Sequence, residues 1–155
     1  MNTFISYSIN DTDQYLLTLL SSELYSKGVS ITQSNDFHLE MSRLTKVNIN
    51  KSDLFIGIIT GLGLEKERVF KEWKLANIST IPSILMIENT VQINPNFRSP
   101  HIIFNRNYPK SAIDELNSRI NELKNEVEKN PNALPWILGG AALLTIIGLL
   151  SSNKE

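Results

Sequence analysis

The chemistry open to this chain is narrowed first by what it lacks. It has 155 residues and no cysteine, which excludes disulfides, iron–sulfur clusters, thiolate zinc sites and a cysteine nucleophile. Its two histidines, His38 and His101, are far apart in sequence, so no metal site is expected. There is no Gly-x-Gly-x-x-Gly or Walker-type phosphate loop, and Gly61-Leu62-Gly63 reads as a strand-to-helix turn. Carboxylate chemistry remains. Glu72 lies in the run Val69-Phe70-Lys71-Glu72-Trp73-Lys74-Leu75-Ala76. Val69, Trp73 and Ala76 form the apolar stripe of a helix, and Glu72 sits about 60° round from its centre, at the border. A carboxylate there can point into a cleft while its helix stays packed. The competing reading makes Glu72 a solvated residue among Glu65, Lys66, Glu67, Arg68, Lys71 and Lys74.

A helix carrying such a residue needs a sheet to pack on, and the sequence supplies one. Thr3 to Tyr7 is short, β-branched and aromatic, which predicts a first strand. Asn10 and Asp11 can cap a helix with apolar positions Tyr15, Leu16, Leu19, Leu20 and Leu24, and Gly28 ends it. Val29 to Thr32 predicts a second strand, and a weaker helix over about Leu39 to Asn50 would turn Leu44 and Val47 inward. Asp53 to Thr60 is apolar at nearly every position, the mark of a central parallel strand covered on both faces. Glu65 to Asn77 is the helix of Glu72, Ile81 to Glu88 a further strand, and His101 to Asn105 a short last strand. From Pro109 a final helix runs to about Lys129. This alternation predicts a parallel sheet with helices on both faces, with ligands bound outside the carboxyl ends of the strands.

The formal net charge is −1, so there is no global basic field to hold nucleic acid. Met1 to Ser8 lacks both the basic and the apolar region of a signal peptide, and the domain over residues 1–129 is expected in the cytosol. Asn130 to Ala133 then breaks the helix as a linker. Leu134 to Leu150 carries no charge and is apolar all round. As a helix it is about 25 Å long, and Ser151 and Ser152 can extend it toward the roughly 30 Å hydrocarbon core of a bilayer. Trp136 stands at one end, where an aromatic belt residue belongs. Residues 134–152 are therefore predicted as a single membrane-spanning helix in contact with lipid, followed by a tail at 153–155; a buried core helix is the alternative.

Two patterns suggest self-association. Ile113, Leu116, Ile120, Leu123 and Val127 follow the narrow seam of a coiled coil, though the same seam would serve a final helix packed on the sheet. In the apolar segment, Ala141, Thr145, Gly148 and Ser152 make one face of small residues.

The opening Phe4-Ile5-Ser6-Tyr7-Ser8, followed by Asp11, is similar to the first strand and loop of TIR domains. Gly28-Val29-Ser30-Ile31 looks like their second strand, and Ile49-Asn50-Lys51-Ser52-Asp53-Leu54-Phe55-Ile56-Gly57-Ile58-Ile59-Thr60 resembles the third. Val69 to Ala76 resembles the next helix, and Ile81-Pro82-Ser83-Ile84-Leu85 the next strand. The resemblance spans roughly residues 2 to 128 in the right order and spacing. It implies a flavodoxin-like five-stranded parallel sheet with helices on both faces.

Many prokaryotic TIR domains cleave NAD between nicotinamide and ribose, and some cyclise the product into a signal. The resemblance makes Glu72 the catalytic carboxylate, with NAD or a related nucleotide as substrate and no other cofactor. It implies a pocket lined by the loop after the first strand (Ser8, Asp11) and the loop after the second (Asn35, Asp36, Phe37). One position departs: where many relatives carry an aromatic residue one turn before the glutamate, this chain has Arg68. Such a protein would act in bacterial defence or cell-death signalling. The resemblance equally admits a non-catalytic interaction module, or a nucleotide-sensing membrane effector working by self-association.

Overall fold

The computed structural model describes residues 1–7, 14–34, 36, 40–62 and 65–129. The linker, the apolar segment and the tail all lie outside them, and so do the side chain of Val127 and the caps Asn10 and Asp11. Among the described residues no helix is long and apolar enough to cross a membrane.

Among the described residues five strands and four helices follow one another, alternating except that β5 comes directly after β4: β1 (Asn2–Tyr7), α1 (Gln14–Ser26), β2 (Ser30–Gln33), α2 (Arg43–Asn50), β3 (Leu54–Ile59), α3 (Lys66–Ile78), β4 (Ser83–Glu88), β5 (His101–Phe104) and α4 (Lys110–Lys129). All strand pairs are parallel, in the order β2-β1-β3-β4-β5. This is the flavodoxin-like arrangement expected from the alternation. β3 and β4 are buried at every position, as their unbroken apolar runs require.

Side chains alternate between two cores. On one face α1 and α4 cover Ile5, Ile56, Ile58, Ile84 and Met86. On the other α2 and α3 cover Phe4, Phe55, Ile59, Leu85 and Ile87. The apolar seam of α4 resolves in favour of the sheet. Ile113, Leu116, Ile120 and Leu123 are all buried, and the last three lie in the α1/α4 core, so none is left to form a coil with a second chain.

Two helix faces differ from expectation. In α2, Leu44 is 64% exposed and Val47 38%, while Thr45 and Ile49 are buried. The helix starts at Arg43 rather than near Leu39, with Ser42 as its cap; Ser42 Oγ accepts from the Thr45 N–H at 3.1 Å. Ile49 anchors the short helix, and the row one turn back from it is Thr45, not Leu44 or Val47. In α1, Tyr15 is exposed and Leu17 takes the inner position beside Leu16, Leu20 and Leu24.

The helix ends at Gly28 as expected. Gly28 has φ of 70°, and the Val29 and Gly28 N–H groups reach back to the carbonyls of Leu24 and Tyr25. α3 ends in the same double bond pattern, with Ile81 and Thr80 donating to Ala76 and Asn77, but Thr80 holds the left-handed position with φ of 58°. A β-branched residue is strained there.

Candidate active site

α3 packs on the sheet over a glycine, with no room there for a side chain. A Cβ added at Gly57 in β3 would stand 3.2 Å from Cγ1 of Val69 and 2.7 Å from Cδ2 of Leu85. Val69, Trp73 and Ala76 pack into the core, as the stripe required, and Trp73 meets Phe70 and Phe97 with ring centroids 6.3 and 6.1 Å apart. The close approach carries the stripe's border residues inward. Glu72 is 0% exposed and Arg68 1% exposed, so neither is a solvated surface charge.

The two form a buried ion pair, Arg68 Nη1 donating to Glu72 Oε1 at 3.0 Å. Ser34 Oγ donates to the same oxygen at 2.8 Å and accepts from Arg68 Nη1 at 2.8 Å. Ser34 comes directly after β2 and is fixed there by its own N–H, bonded to the carbonyl of Ile5. Arg68 Nη2 donates to the carbonyl of Tyr7, the last residue of β1, and to Glu65 Oε2 at 2.8 Å; its Nε also reaches Glu65 Oε2. All five guanidinium N–H groups are thereby used. Glu72 Oε2 is buried and has no hydrogen-bond partner among the described residues. A bare, buried, charged oxygen is expensive, and native proteins keep few of them without a use. Ser6 Oγ, one residue before Tyr7, is likewise buried and unpartnered among the described residues. Strand alternation puts it on the α3 face with Phe4.

This cluster stands at the carboxyl ends of β1 and β2, the edge where ligands bind in open α/β sheets. Asp36 lies within the field of Arg68. Burial works to raise its pKa, but hydrogen bonds from Ser42 and Thr45 and the Arg68 charge outweigh that and lower it. Its Oδ2 accepts the Ser42 N–H at 2.8 Å, which ties it to the start of α2. Of the other residues expected in the pocket, Ser8, Asp11, Asn35 and Phe37 lie outside the described residues.

Arg68, Ser34 and the Tyr7 carbonyl were not among the expected site residues. The available signal was the spacing Glu65, Arg68, Glu72, which lets both acids reach one arginine on a helix face. That spacing is equally common on solvated helices, and the partners that decide burial come from β1 and β2.

A second arginine–carboxylate pair occupies the same edge further along. Glu88, the last residue of β4, accepts from Arg106 Nε on Oε1, and on Oε2 from Arg106 Nη2 at 3.1 Å and the Gly61 N–H at 2.6 Å. The Arg106 hydrogen bonds, helped by Gly61 and Thr90 and opposed by burial, hold its carboxyl at a pKa of about 2. A cavity of about 490 Å³ opens beside the pair, lined also by Leu62, Asn89, Asn105 and Asn107. Among the described residues no group of acids and histidines could hold a metal ion.

No family model matches the chain, and no curated protein does. Solved structures do. A CMP N-glycosidase of Clostridium botulinum, BcmB, superposes with a TM-score of 0.55 at 17% identity, over 76% of this chain and 99% of that one. The sugar isomerase domain of an RpiR transcription factor from Sphaerobacter thermophilus superposes at 0.53 and 12% identity, over 97% of this chain and 78% of that one. At such identities the likeness is one of fold. Neither is described as a TIR domain.

Proposed function

We propose that this chain is a TIR-like domain that breaks the bond between nicotinamide and ribose in NAD, with Glu72 as the catalytic carboxylate. The observation that carries the reading is the half-satisfied state of Glu72: Oε1 is held from two sides, while Oε2 is buried and has no partner among the described residues at the ligand-binding edge of the sheet. The sequence resemblance and the fold shared with a protein named as a CMP N-glycosidase point the same way.

The chemistry suits one carboxylate. As the bond from ribose C1′ to the pyridinium nitrogen breaks, its electron pair goes to the nitrogen, so nicotinamide leaves neutral and needs no proton. Positive charge builds on the ribose. An anionic oxygen near C1′, or bonded to the ribose hydroxyls, stabilises it in a water-poor site. Water then attacks C1′ and releases its proton.

The test is direct. Purified full-length protein, in detergent or membranes, is mixed with NAD and, separately, with CMP, and the released base is measured. Nicotinamide release supports the proposal. Cytosine release without nicotinamide moves the substrate to a nucleoside monophosphate, a second reading favoured by the CMP N-glycosidase likeness. Release of neither leaves the interaction module.

The proposal includes anchorage in lipid through Leu134 to Leu150 with the domain in the cytosol, and self-association through Ala141, Thr145, Gly148 and Ser152. A chain ending at Asn130 should stay in the supernatant, while the full chain sediments with membranes and resists alkaline extraction. A full chain that stays in the supernatant without detergent rejects the anchorage. Leucines at positions 141, 145 and 148 should reduce crosslinking in membranes; unchanged crosslinking rejects that face.

A further inference from the structure

We infer that Arg68 is the positioning residue of the candidate site, a role that rests on the proposed reading of Glu72. Arg68 cannot itself hold a ligand without breaking a bond it already makes. Its five N–H groups are distributed over Tyr7 O, Ser34 Oγ, Glu72 Oε1 and Glu65 Oε2, and the residue is 1% exposed. It acts through the groups it touches.

Those groups come from three separate elements. Tyr7 ends β1, Ser34 comes directly after β2, Glu65 stands immediately before α3, and Glu72 lies in its middle. One guanidinium therefore sets the distance between two strand ends and the helix that carries the carboxylate. It also settles which carboxylate oxygen has no partner among the described residues. Arg68 Nη1, Ser34 Oγ and Glu72 Oε1 close a three-membered ring of hydrogen bonds, each about 3 Å long or less, all on the Oε1 side. With that oxygen fixed, the plane of the carboxylate is fixed, and Oε2 is left for the reacting ribose. The rigid fork of the guanidinium is essential. A lysine ammonium has three donors radiating from one atom and cannot span these four acceptors.

A residue that fixes the reacting carboxylate without meeting substrate affects the chemical step and leaves binding alone. The test is nicotinamide release by Arg68→Lys and Arg68→Ala beside the wild type, with folding followed by circular dichroism. Arg68→Lys is expected to fold, to lose about 100-fold in kcat and to keep KM within about threefold. Millimolar guanidinium is expected to restore about tenfold of the activity of Arg68→Ala, a recovery that general damage to the fold would not show. The inference is overturned if Arg68→Lys keeps wild-type kcat, if its KM rises while kcat stands, or if it does not fold. Loss of kcat without rescue by guanidinium also overturns it. A wild type that releases no nicotinamide removes the enzymatic reading and this role together. An active wild type beside an equally active Arg68→Lys removes this role alone.

Discussion

Two arginine–carboxylate pairs stand on the carboxyl edge of one sheet, and they are finished differently. At β4, both oxygens of Glu88 are bonded, by Arg106 on each and by the Gly61 N–H on Oε2. At α3, the partners of Glu72 crowd onto Oε1, and among the described residues Oε2 has none. The two carboxylates are about equally buried, and they differ in how their oxygens are bonded. The Glu88 pair joins β4 to the segment after β5 and the turn after β3. Among the described residues, the Glu72 cluster leaves one buried carboxylate oxygen without a hydrogen bond, which costs stability.

Glu72→Gln should separate the two pairs most sharply. Its expected effect is the largest, a loss of about 1,000-fold or more in nicotinamide release, because an anionic group facing developing positive charge is replaced by a neutral one. Its stability should change by less than about 1 kcal/mol, since Arg68 keeps Glu65 as counter-charge and an amide oxygen can still accept from Arg68 and Ser34. Full activity in this variant would put Glu72 on the structural side with Glu88.

Glu88→Gln is expected to do the reverse. Activity should stay within about threefold, while urea unfolding loses on the order of 1–3 kcal/mol. The acid profile sharpens the point. The carboxyl of Glu88 is held at about 2, below its ordinary range, so the folded state binds the proton less readily than the unfolded one. Its contribution, up to roughly 3 kcal/mol, is present above about pH 4.5 and fades as pH falls toward 2. Unfolding measured between pH 5 and pH 2 should lose that increment in the wild type and much less in Glu88→Gln. Equal slopes would show that the Arg106 pair does not hold Glu88 ionised.

The smallest effect is expected at Glu65, whose side chain is 22% exposed on the outer side of Arg68. Glu65→Gln should cost about 0.5–1 kcal/mol and a few-fold in activity. A loss as deep as that of Glu72→Gln would mean that the whole cluster, rather than one oxygen, carries the chemistry.

Strands with a single possible use were legible from the sequence. Asp53 to Thr60 and Ile81 to Glu88 are apolar on both faces, and each contains the strand observed, one residue inside at either end of β3 and two residues in from the start of β4. α3 and α4 were legible because their apolar stripes are long enough to settle a face. α2 was not, since eight residues offer two competing stripes and one isoleucine decides between them. Glu72 was visible as a border residue, but its burial was not. Arg68 reads as a surface residue in the sequence, and the reason is physical. A guanidinium enters a protein interior only when its donors are met. The Tyr7 carbonyl and the Ser34 hydroxyl that meet them lie 61 and 34 residues away. Local spacing cannot announce partners that only strand pairing brings together.

The last turn of α4 lies at the opposite end of the sheet from Glu72. Leu123, Lys124 and Glu128 line a cavity of about 570 Å³ with Met1, Asp53 and Pro82, residues at or just before the starts of β1, β3 and β4. A six-residue strand is roughly 20 Å long, and that length separates the end of α4 from the edge that carries Glu72. If the chain is anchored in lipid beyond α4, as proposed, the edge that carries Glu72 is the end of the domain farther from the point where α4 leaves it.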